Sequence, residues 1–365
     1  MGVISFARGI PSPDLLPVRE FGECARAVVE RDGGTVLNYG PPGGYPPLRA
    51  WVAERHGVAP ERVVLTNGSL QGFNLVAQLV FASGGRAIVE APTYDRTLTA
   101  LASIGAEVTG VAVTDSGVDV GALAGAIETG GPPKLVYTIP TFQNPSGHTL
   151  SLEGRRALVE LVREQDLLVY EDDPYTLVRF AGEALPTLHE LSGGDNVIYS
   201  SSFSKTVAPG IRVGYLVLPQ ALVPPVEALA SSSYLSPTIF VQGALYEFLE
   251  RGYLDRHVER VRAELLARRD AMLRALEREL PAARWNEPEG GYFLWLELPG
   301  GVGAETLLAR AGEAGVTFVK GSDFYAGSGG EEAARLAFSF ASREEIDEGV
   351  ARLAVLVRDA VAVPA

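Results

Sequence analysis

The chain has 365 residues, of which 47% are hydrophobic and 21% are charged, so it is long enough for two domains with full cores. Its formal net charge of -14 and its lack of a basic stripe argue against nucleic-acid binding, and its single cysteine cannot form an internal disulfide. No apolar run can cross a bilayer and no signal peptide is recognisable, so a cytoplasmic location is expected.

The first two thirds of the sequence alternate between strand-like and helix-like segments. A Pro- and Gly-rich stretch over 5–17 predicts an ordered loop, and a helix is predicted over 18–31. Strands that alternate with helices indicate parallel pairing, with helices on both faces of one sheet. Seven strands are predicted from short apolar runs at residues 62–66, 87–90, 107–113, 134–139, 167–171, 196–199 and 213–218.

The last third predicts a second, smaller domain. After residue 218 the strand signal fades, and helices are predicted over 237–250 and 253–280, the second with apolar residues spaced for one face. The remaining segments predict strands over 290–298, 316–319 and 335–339 and helices over 305–314 and 343–361. We therefore expect an α/β fold in which a large sheet domain is joined to a smaller α+β domain.

Two turns that follow predicted strands carry polar residues. The turn 67–70 opens a helix at Ser69, and the free amides at such a helix start can hold a phosphate, although a plain helix cap is the commoner interpretation. Asp172 and Asp173 stand at the end of the run 167–171. They could be metal ligands, but no His or third acid stands nearby at a ligand-like spacing, so no metal is expected.

Lys205 lies among Ser202, Ser204 and other hydroxyl residues, directly after a predicted buried strand and seven residues before Arg212. A lysine held in a desolvated pocket loses its charge easily and becomes a nucleophilic amine, as Schiff-base chemistry requires. The hydroxyl groups and the arginine fork could together hold a phosphate. Taken alone, this stretch is equally compatible with a solvated lysine in a Ser-rich loop.

Other motifs decide between these interpretations. Ser-Phe-Ser-Lys205 followed by Gly-Ile-Arg212-Val-Gly-Tyr resembles the cofactor-lysine motif of the fold-type I, pyridoxal phosphate-dependent aminotransferases of class I/II. The sequence is most similar to the branch that holds the 2-aminoadipate and kynurenine aminotransferases and the MocR-type regulators. This resemblance runs from residue 5 to about residue 342. It implies a large domain over 32–252, with a mostly parallel seven-stranded sheet, and a small domain formed by 1–31 and 253–365.

The resemblance also implies that pyridoxal 5'-phosphate is the cofactor. Lys205 is then expected to form the internal aldimine and to act as the general acid and base. Asp172 would pair with the protonated pyridine nitrogen and hold positive charge on the ring. The other cofactor contacts implied are Ser69, Leu70, Ser202, Ser204 and Arg212 around the phosphate, Tyr94 stacked on the ring, and Asn144 and Tyr175 at the phenolic oxygen.

Substrate and partner contacts follow from the same resemblance. The loop that contains Gly9 is expected to line the substrate pocket, and Arg335 is expected to bind the substrate α-carboxylate, with Asn144 also in contact. The substrates would be small molecules, an L-amino acid and a 2-oxo acid. Tyr39 is expected to reach the cofactor phosphate of the partner subunit in a homodimer. Neither nucleic acid nor a membrane is expected as a partner.

The sequence departs from the family pattern at Arg8, at Lys320 and in lacking the N-terminal helical arm that precedes residue 5 in relatives. Arg8 stands where the family's loop offers no side chain. Because an unpaired buried guanidinium is costly, it must face solvent, pair with a protein carboxylate, or bind an acidic or polar substrate end.

Two alternatives to an aminotransferase remain. Fold-type I sites also host lyases, cyclases and oxidases, since the fold does not fix the chemistry. A ligand-sensing domain of the MocR type is the non-enzymatic alternative, and the lack of a helix-turn-helix segment before residue 5 argues against it.

Overall fold

The computed structural model describes residues 2–362, which form two main sheets flanked by helices. The strands in chain order are β1 (Ile4–Ser5), β2 (Val63–Thr66), β3 (Arg86–Ala91), β4 (Glu107–Thr114), β5 (Gly117–Val118), β6 (Leu135–Thr138), β7 (Val169–Asp172), β8 (Val197–Ser202), β9 (Gly214–Val217), β10 (Arg284–Trp285), β11 (Phe293–Glu297), β12 (Val316–Thr317), β13 (Val319–Lys320) and β14 (Ala333–Ala337).

Twelve α-helices connect or cover these strands in the described part of the chain. They are α1 (Val18–Val36), α2 (Pro46–His56), α3 (Ser69–Val80), α4 (Asp95–Ser103), α5 (Val120–Gly130), α6 (Leu152–Glu164), α7 (Leu188–Ser192), α8 (Val223–Tyr234), α9 (Ile239–Glu250), α10 (Tyr253–Glu279), α11 (Ala304–Glu313) and α12 (Arg343–Ala362). Helix α8 was not predicted, because two prolines near its start and a run of serines near its end obscure the helical period.

The large sheet has the strand order β2-β9-β8-β7-β6-β3-β4-β5. Its central strands pair in parallel, whereas β9 runs antiparallel to both of its neighbours. The expected number of seven strands was one too low, because the two-residue strand β5 folds back antiparallel on β4. Residues of such short turns carry no apolar run that could reveal a strand.

Both faces of the large sheet are buried. Val136 and Val169 face one apolar core and their neighbours Tyr137 and Tyr170 face the other, as the two-residue period of a strand requires. Because helices cover both faces, the central strands are apolar at nearly every position. The carboxyl ends of these parallel strands meet at one edge, and the turns after β6, β7 and β8 carry most of the polar residues identified from the sequence.

The smaller sheet has the order β10-β11-β14-β13 and is antiparallel throughout. It shares one apolar core with α10, α11 and α12. The segment 316–319, expected to be one strand, is split: β12 pairs in parallel with β1, and β13 pairs with β14. Arg335 lies in the middle of β14, opposite Trp295 on one side and Val319 on the other.

The N-terminal segment is divided between the two domains. Strand β1 pairs with β12 of the small domain, but Cys24, Val28 and Val36 of α1 lie in the same apolar core as α9 of the large domain. Arg31 also pairs with Glu247 of α9 at 2.6 Å. We therefore propose a domain boundary near residue 17 instead of residue 31. The domain assignment from the sequence also includes residues 1 and 363–365, which lie outside the described residues.

Helix α1 continues beyond its predicted end at Arg31, through non-helical backbone at Asp32, to Val36. Two glycines follow Asp32. Because glycine has a low helix propensity, they predict that the helix ends before Val36. None of the helices within residues 2–362 is long and apolar enough to cross a membrane.

Candidate active site

One cavity of about 490 Å³ lies where the carboxyl edge of the large sheet meets the small domain and the N-terminal loop. It brings together nearly all of the site residues predicted from the sequence. Those that line it are Gly9, Ser69, Leu70, Tyr94, Asn144, Asp172, Tyr175, Ser202, Ser204, Lys205, Arg212 and Arg335.

At one end of the cavity, polar groups converge in a cradle suited to an anion. Gly68 precedes α3 and offers no capping side chain, so the first amides of the helix are left for another partner. Arg212 donates from Nη2 to the Asn67 carbonyl (3.0 Å) and from Nη1 towards Ser204 Oγ (3.5 Å). Helix amides, hydroxyl groups and a guanidinium together make a site for a phosphate.

Two glycines allow these groups to approach so closely. Gly68 has a φ of +91°, and a Cβ atom there would collide with the guanidinium of Arg212. A Cβ at Gly214 would lie 2.5 Å from the Ser69 nitrogen. The glycines on either side of the cradle are thus required by its packing.

Asp172 stands at the end of β7 with one oxygen in use and one free. Its Oδ2 accepts a hydrogen bond from the Tyr137 hydroxyl (2.8 Å), whereas its buried Oδ1 has no partner among residues 2–362. Burial raises the pKa of Asp172 to about 7, and the Tyr137 hydrogen bond opposes that rise. An unpaired buried carboxylate oxygen is costly, so Oδ1 fits a donor from a bound group, such as a protonated ring nitrogen.

Asp173 points away from the cavity. Its Oδ2 accepts from the Tyr199 hydroxyl (3.0 Å) and its Oδ1 from the Thr176 amide (3.1 Å). Both oxygens are therefore occupied by the protein. The alternation of side chains along a strand explains why adjacent carboxylates have such different surroundings.

Lys205 reaches into the cavity from the turn after β8. Its Nζ donates to the Gly9 carbonyl (2.6 Å) and lies 5.6 Å from the centre of the Tyr292 ring. Desolvation lowers the pKa of Lys205 to about 8, and the positive charges of Arg335 and Arg212 add to this effect. A lysine with such a pKa is partly neutral near pH 7 and can act as a nucleophile.

Arg335 is held from four sides at the opposite end of the cavity. It donates from Nη1 to Asn144 Oδ1 (2.9 Å) and from Nη2 to the Ala7 carbonyl (2.9 Å). Its guanidinium also lies 4.2 Å from the Phe293 ring centre and 5.0 Å from that of Phe324.

The buried Nε of Arg335 has no partner in the described part of the chain. A guanidinium with a donor left over, and with no carboxylate at ion-pair distance among residues 2–362, is suited to a carboxylate ligand.

Two aromatic residues complete the ring site. Tyr94 lines the cavity at the start of α4, and burial raises its pKa to about 12. Tyr175 is buried, with its ring 5.7 Å from that of Tyr292 and 5.8 Å from that of Phe293. Neither hydroxyl is ionised near neutral pH, so each can donate a hydrogen bond.

Two predicted site residues lie outside this cavity. The guanidinium of Arg8 stacks 4.9 Å from the centre of the Phe340 ring. Tyr39 is 79% exposed on the surface of the large domain. Lys320, the other departure from the family pattern, also turns away, and its Nζ lies 2.9 Å from Glu305. The position of Arg8 favours its structural alternatives over contact with a substrate.

Three residues that support the site were missed by the sequence analysis. Tyr137 orients Asp172, and the Tyr292 hydroxyl donates to the backbone carbonyl of Lys205 (2.6 Å). Buried Glu90 accepts from Thr138, Ile139 and Gln143 and so fixes the turn that carries Asn144. Only Glu90 left a signal in the sequence, as an acid at the end of an apolar run.

No group of three or more His, Cys, Asp or Glu that could hold a metal occurs among the described residues. The cavity instead offers a phosphate cradle, a reactive lysine, an unpaired carboxylate oxygen and a carboxylate-binding arginine. Together with the mostly parallel sheet and the small domain, these features define a class of protein, the fold-type I enzymes that use pyridoxal phosphate.

The family model described as aminotransferase class I and II matches residues 3–353. The chain belongs to this family. It is therefore a transferase that uses pyridoxal phosphate and moves amino groups, which confirms the fold class, the cofactor and the type of activity expected from the sequence.

Named relatives agree with this assignment. A 2-aminoadipate transaminase of Thermus thermophilus is 41% identical over 96% of this chain and 89% of its own length. Aromatic-amino-acid aminotransferase 1 of Thermococcus litoralis is 35% identical over 98% of this chain and 88% of its own length. Transcriptional regulators of the helix-turn-helix type are also among the matches, as the resemblance implied.

A solved structure shows the same fold. The alpha-aminoadipate aminotransferase of Thermus thermophilus, complexed with N-(5'-phosphopyridoxyl)-L-leucine, superposes with a TM-score of 0.95 at 38% identity. The match covers 99% of this chain and 93% of that one.

The lowered pKa of Lys205 predicts how its reactivity changes with pH. Because only the neutral amine attacks an aldehyde, covalent capture of pyridoxal phosphate by the cofactor-free protein should accelerate about tenfold from pH 7 to pH 9 and then level off. Stopped-flow absorbance measures this rate, and Lys205→Ala should show no capture. A rate that still rises steeply above pH 10 would indicate an ordinary lysine.

The two adjacent carboxylates should respond differently to the same substitution. Asp172→Asn removes the charge beside the ring site and should leave cofactor binding nearly unchanged while slowing loss of the substrate α-proton about 100-fold. Asp173→Asn, the matched control, should instead lower the free energy of unfolding by about 1–3 kcal/mol, because it weakens buried hydrogen bonds. Single-turnover kinetics and urea unfolding separate the two effects; the reverse pattern would exchange the two roles.

Proposed function

We propose that the residues of this cavity divide the work of amino transfer between an L-amino acid and a 2-oxo acid. The phosphate is held by Arg212, Ser202, Ser204 and the amides that begin at Ser69 and Leu70. Asp172 is assigned to the ring nitrogen and Tyr94 to the ring face. Bound in this way, pyridoxal phosphate supplies an aldehyde that reacts with amines and a ring that accepts electrons from the substrate α-carbon.

Lys205 is proposed as the catalytic nucleophile and proton carrier. Its Nζ, partly neutral near pH 7, first holds the cofactor and then accepts and returns the substrate α-proton. Desolvation in the cavity, to which the positive charges of Arg335 and Arg212 add, keeps that nitrogen from being fully protonated. The Tyr292 hydrogen bond to the lysine carbonyl fixes the backbone from which the side chain extends.

Arg335 and Asn144 are proposed to bind and orient the amino acid. Arg335 is assigned to the α-carboxylate. The side-chain oxygen of Asn144 accepts a hydrogen bond from Arg335. Its amide nitrogen is therefore assigned as a donor to the phenolic oxygen of the cofactor, beside Tyr175. Gly9 places its carbonyl at Lys205 Nζ, and a side chain at this position would collide with the Phe293 ring. These contacts would align the bond to the α-proton with the lysine.

One observation supports the proposal above all others. The same cavity contains a buried carboxylate oxygen without a donor, a buried guanidinium nitrogen without an acceptor, and a lysine whose pKa is lowered to about 8, all among the described residues. Burying each of these groups without a partner costs the protein free energy. The cofactor or a bound amino acid would supply a partner for each: a ring nitrogen for the carboxylate oxygen, a carboxylate for the guanidinium and an aldehyde for the lysine.

Half-reactions test the proposed chemistry. Holoenzyme mixed with a panel of L-amino acids should convert its cofactor stoichiometrically into the amine form and release a 2-oxo acid, and a second 2-oxo acid should restore the aldehyde form. Absorbance and chromatography follow both steps, with Lys205→Ala as the inactive control. Release of carbon dioxide or consumption of oxygen would identify a lyase or an oxidase, and binding without turnover would identify a sensor.

We also propose that the enzyme is a homodimer whose two sites each use Tyr39 of the partner. Tyr39 and Leu235 are 79% and 60% exposed. Each stands one residue before a partner in a hydrogen bond, which runs from the Gly40 amide to Ser236 Oγ (3.2 Å). Tyr39 and Leu235 therefore lie side by side on one exposed ridge. The amide of Thr238, in the same ridge, donates to Asn67 beside the phosphate cradle (3.4 Å). An apolar ridge at the edge of a site favours burial by a second subunit.

Complementation between inactive variants tests this arrangement. Lys205→Ala should be inactive, and Tyr39→Ala should bind the cofactor weakly. If Tyr39 acts across the interface, mixed dimers contain one intact site, and equal mixtures should recover about one quarter of wild-type activity. No recovery after refolding together, or full activity of a monomer by light scattering, would contradict the proposal. A cytoplasmic location stays a prediction from the sequence.

A further inference from the structure

Two buried side chains of opposite charge contact the loop that carries Asn144. This loop runs over 139–151, between β6 and α6. Glu90, near the end of β3, and Arg155, in the first turn of α6, are 2% and 0% exposed. Neither forms an ion pair among residues 2–362. Burying a charge without a paired opposite charge is costly unless hydrogen bonds replace its water, and the loop supplies most of those bonds.

Glu90 accepts hydrogen bonds from the end of β6 and the start of the loop. The donors are Thr138 Oγ1 (2.6 Å), the Ile139 amide (3.2 Å from both carboxylate oxygens) and Gln143 Nε2 (2.9 Å). Gln143 extends the contact, because its Oε1 accepts from the Ser146 amide (2.8 Å) and its Nε2 also donates to the Pro92 carbonyl (2.7 Å). Two of the three donors to Glu90 are amide groups, which can only donate, so the cluster fits an ionised carboxylate.

Arg155 joins the two ends of the same loop. Its Nη2 donates to the Pro140 carbonyl and to Thr141 Oγ1 (both 2.8 Å), and its Nε donates to the Leu150 carbonyl (2.9 Å). The Leu150 amide also donates to the Pro140 carbonyl (2.7 Å). Nη1 of Arg155 donates to the Pro186 carbonyl (3.1 Å), just before α7. A planar guanidinium with donors in fixed directions can hold several carbonyl groups at once, as a lysine cannot.

The backbone between these two sets of contacts is strained. Phe142 has a φ of +51°, in the left-handed region that a residue with a side chain rarely adopts. Such a conformation persists only where the surrounding structure fixes it. The residues on either side of Phe142 are the ones that are held: Thr141 by Arg155, and Gln143 by Glu90.

Asn144 follows this strained segment and connects two parts of the proposed site. It is 4% exposed, and its Oδ1 accepts from Arg335 Nη1 (2.9 Å). The proposed function assigns its amide nitrogen to the phenolic oxygen of the cofactor. Because one side chain serves both groups, the position of the loop sets the cofactor contact and the support of Arg335 together.

We propose that Glu90 and Arg155 are positioning residues, which act through Gln143 and the ends of the loop to fix Asn144 between the cofactor and Arg335. This inference rests on the proposed function and adds two residues to it that do not line the cavity. Their influence on the cofactor is therefore expected to pass through Asn144.

The absorbance of the bound cofactor as a function of pH tests this role without turnover. A hydrogen bond donated to the phenolic oxygen stabilises negative charge there, so the bound cofactor loses its proton at lower pH. Asn144→Ala removes the donor and should raise the midpoint of the absorbance change by about 1 unit. Glu90→Gln keeps the shape of the side chain but turns an NH2 group towards other donors. It should raise the midpoint as well, and so should Arg155→Lys, which cannot hold both ends of the loop.

A double-mutant cycle separates positioning from general stabilisation of the fold. Because Glu90 acts through Asn144, adding Glu90→Gln to Asn144→Ala should cause no further shift of the midpoint. Glu247→Gln is the matched control: it changes a buried carboxylate of α9 that pairs with Arg31 and Arg251, so it should lower the melting temperature and leave the midpoint unchanged. A wild-type midpoint in Glu90→Gln or in Arg155→Lys, or additive shifts in the double variant, would overturn the proposal.

Two further comparisons keep the result independent of folding and of the proposed function. If Glu90→Gln does not fold, Gln143→Met cuts the same connection without changing a buried charge; it should also raise the midpoint, and a wild-type value would refute the positioning role. If Asn144→Ala shifts the midpoint and the variants of Glu90 and Arg155 do not, the proposed function stands and the inference fails. If Asn144→Ala has no effect, the role of Asn144 in the proposed function is wrong and the inference fails with it.

Discussion

Desolvation of charged groups that share one cavity is the constraint on which this site depends. Lys205, Arg212 and Arg335 all line this cavity, and burial, together with the positive charges of the two arginines, lowers the pKa of the lysine to about 8. Asp172 is the main opposing charge, and its own pKa is raised to about 7 by burial. The protein tolerates this arrangement because each arginine is hydrogen-bonded to a main-chain carbonyl, so its charge is solvated by the protein.

Such a cavity needs a rigid scaffold. The parallel strands place Asp172 and Lys205 on neighbouring turns, and their flanks are buried on both faces of the sheet. Further hydrogen bonds hold each group: Tyr137 orients Asp172, Glu90 fixes the turn before Asn144, and Tyr292 holds the main chain at Lys205. Removing any of these would alter geometry more than charge, and a shift of a fraction of an ångström matters for proton transfer.

Much of the fold and most of the site could be predicted, because the relevant signals are local. Regular strand and helix periods revealed the large sheet, and glycine- and serine-rich turns marked the phosphate cradle. Contacts between distant segments left no such signal, and Tyr137 looks like any other residue of an apolar strand. The sequence left the role of Arg8 open, because it cannot say which side of its loop the side chain occupies; in the structure the guanidinium stacks on the Phe340 ring.

The way Arg335 is held has an entropic consequence. Two hydrogen bonds, to Asn144 and to the Ala7 carbonyl, and two aromatic rings fix its guanidinium before any ligand arrives. A free arginine would lose rotamer freedom on binding a carboxylate, at a cost of about 0.5–1.5 kcal/mol. Here folding has already ordered the side chain, so a substrate carboxylate meets a preorganised partner, and even small amino acids with few other contacts can be held in a defined orientation.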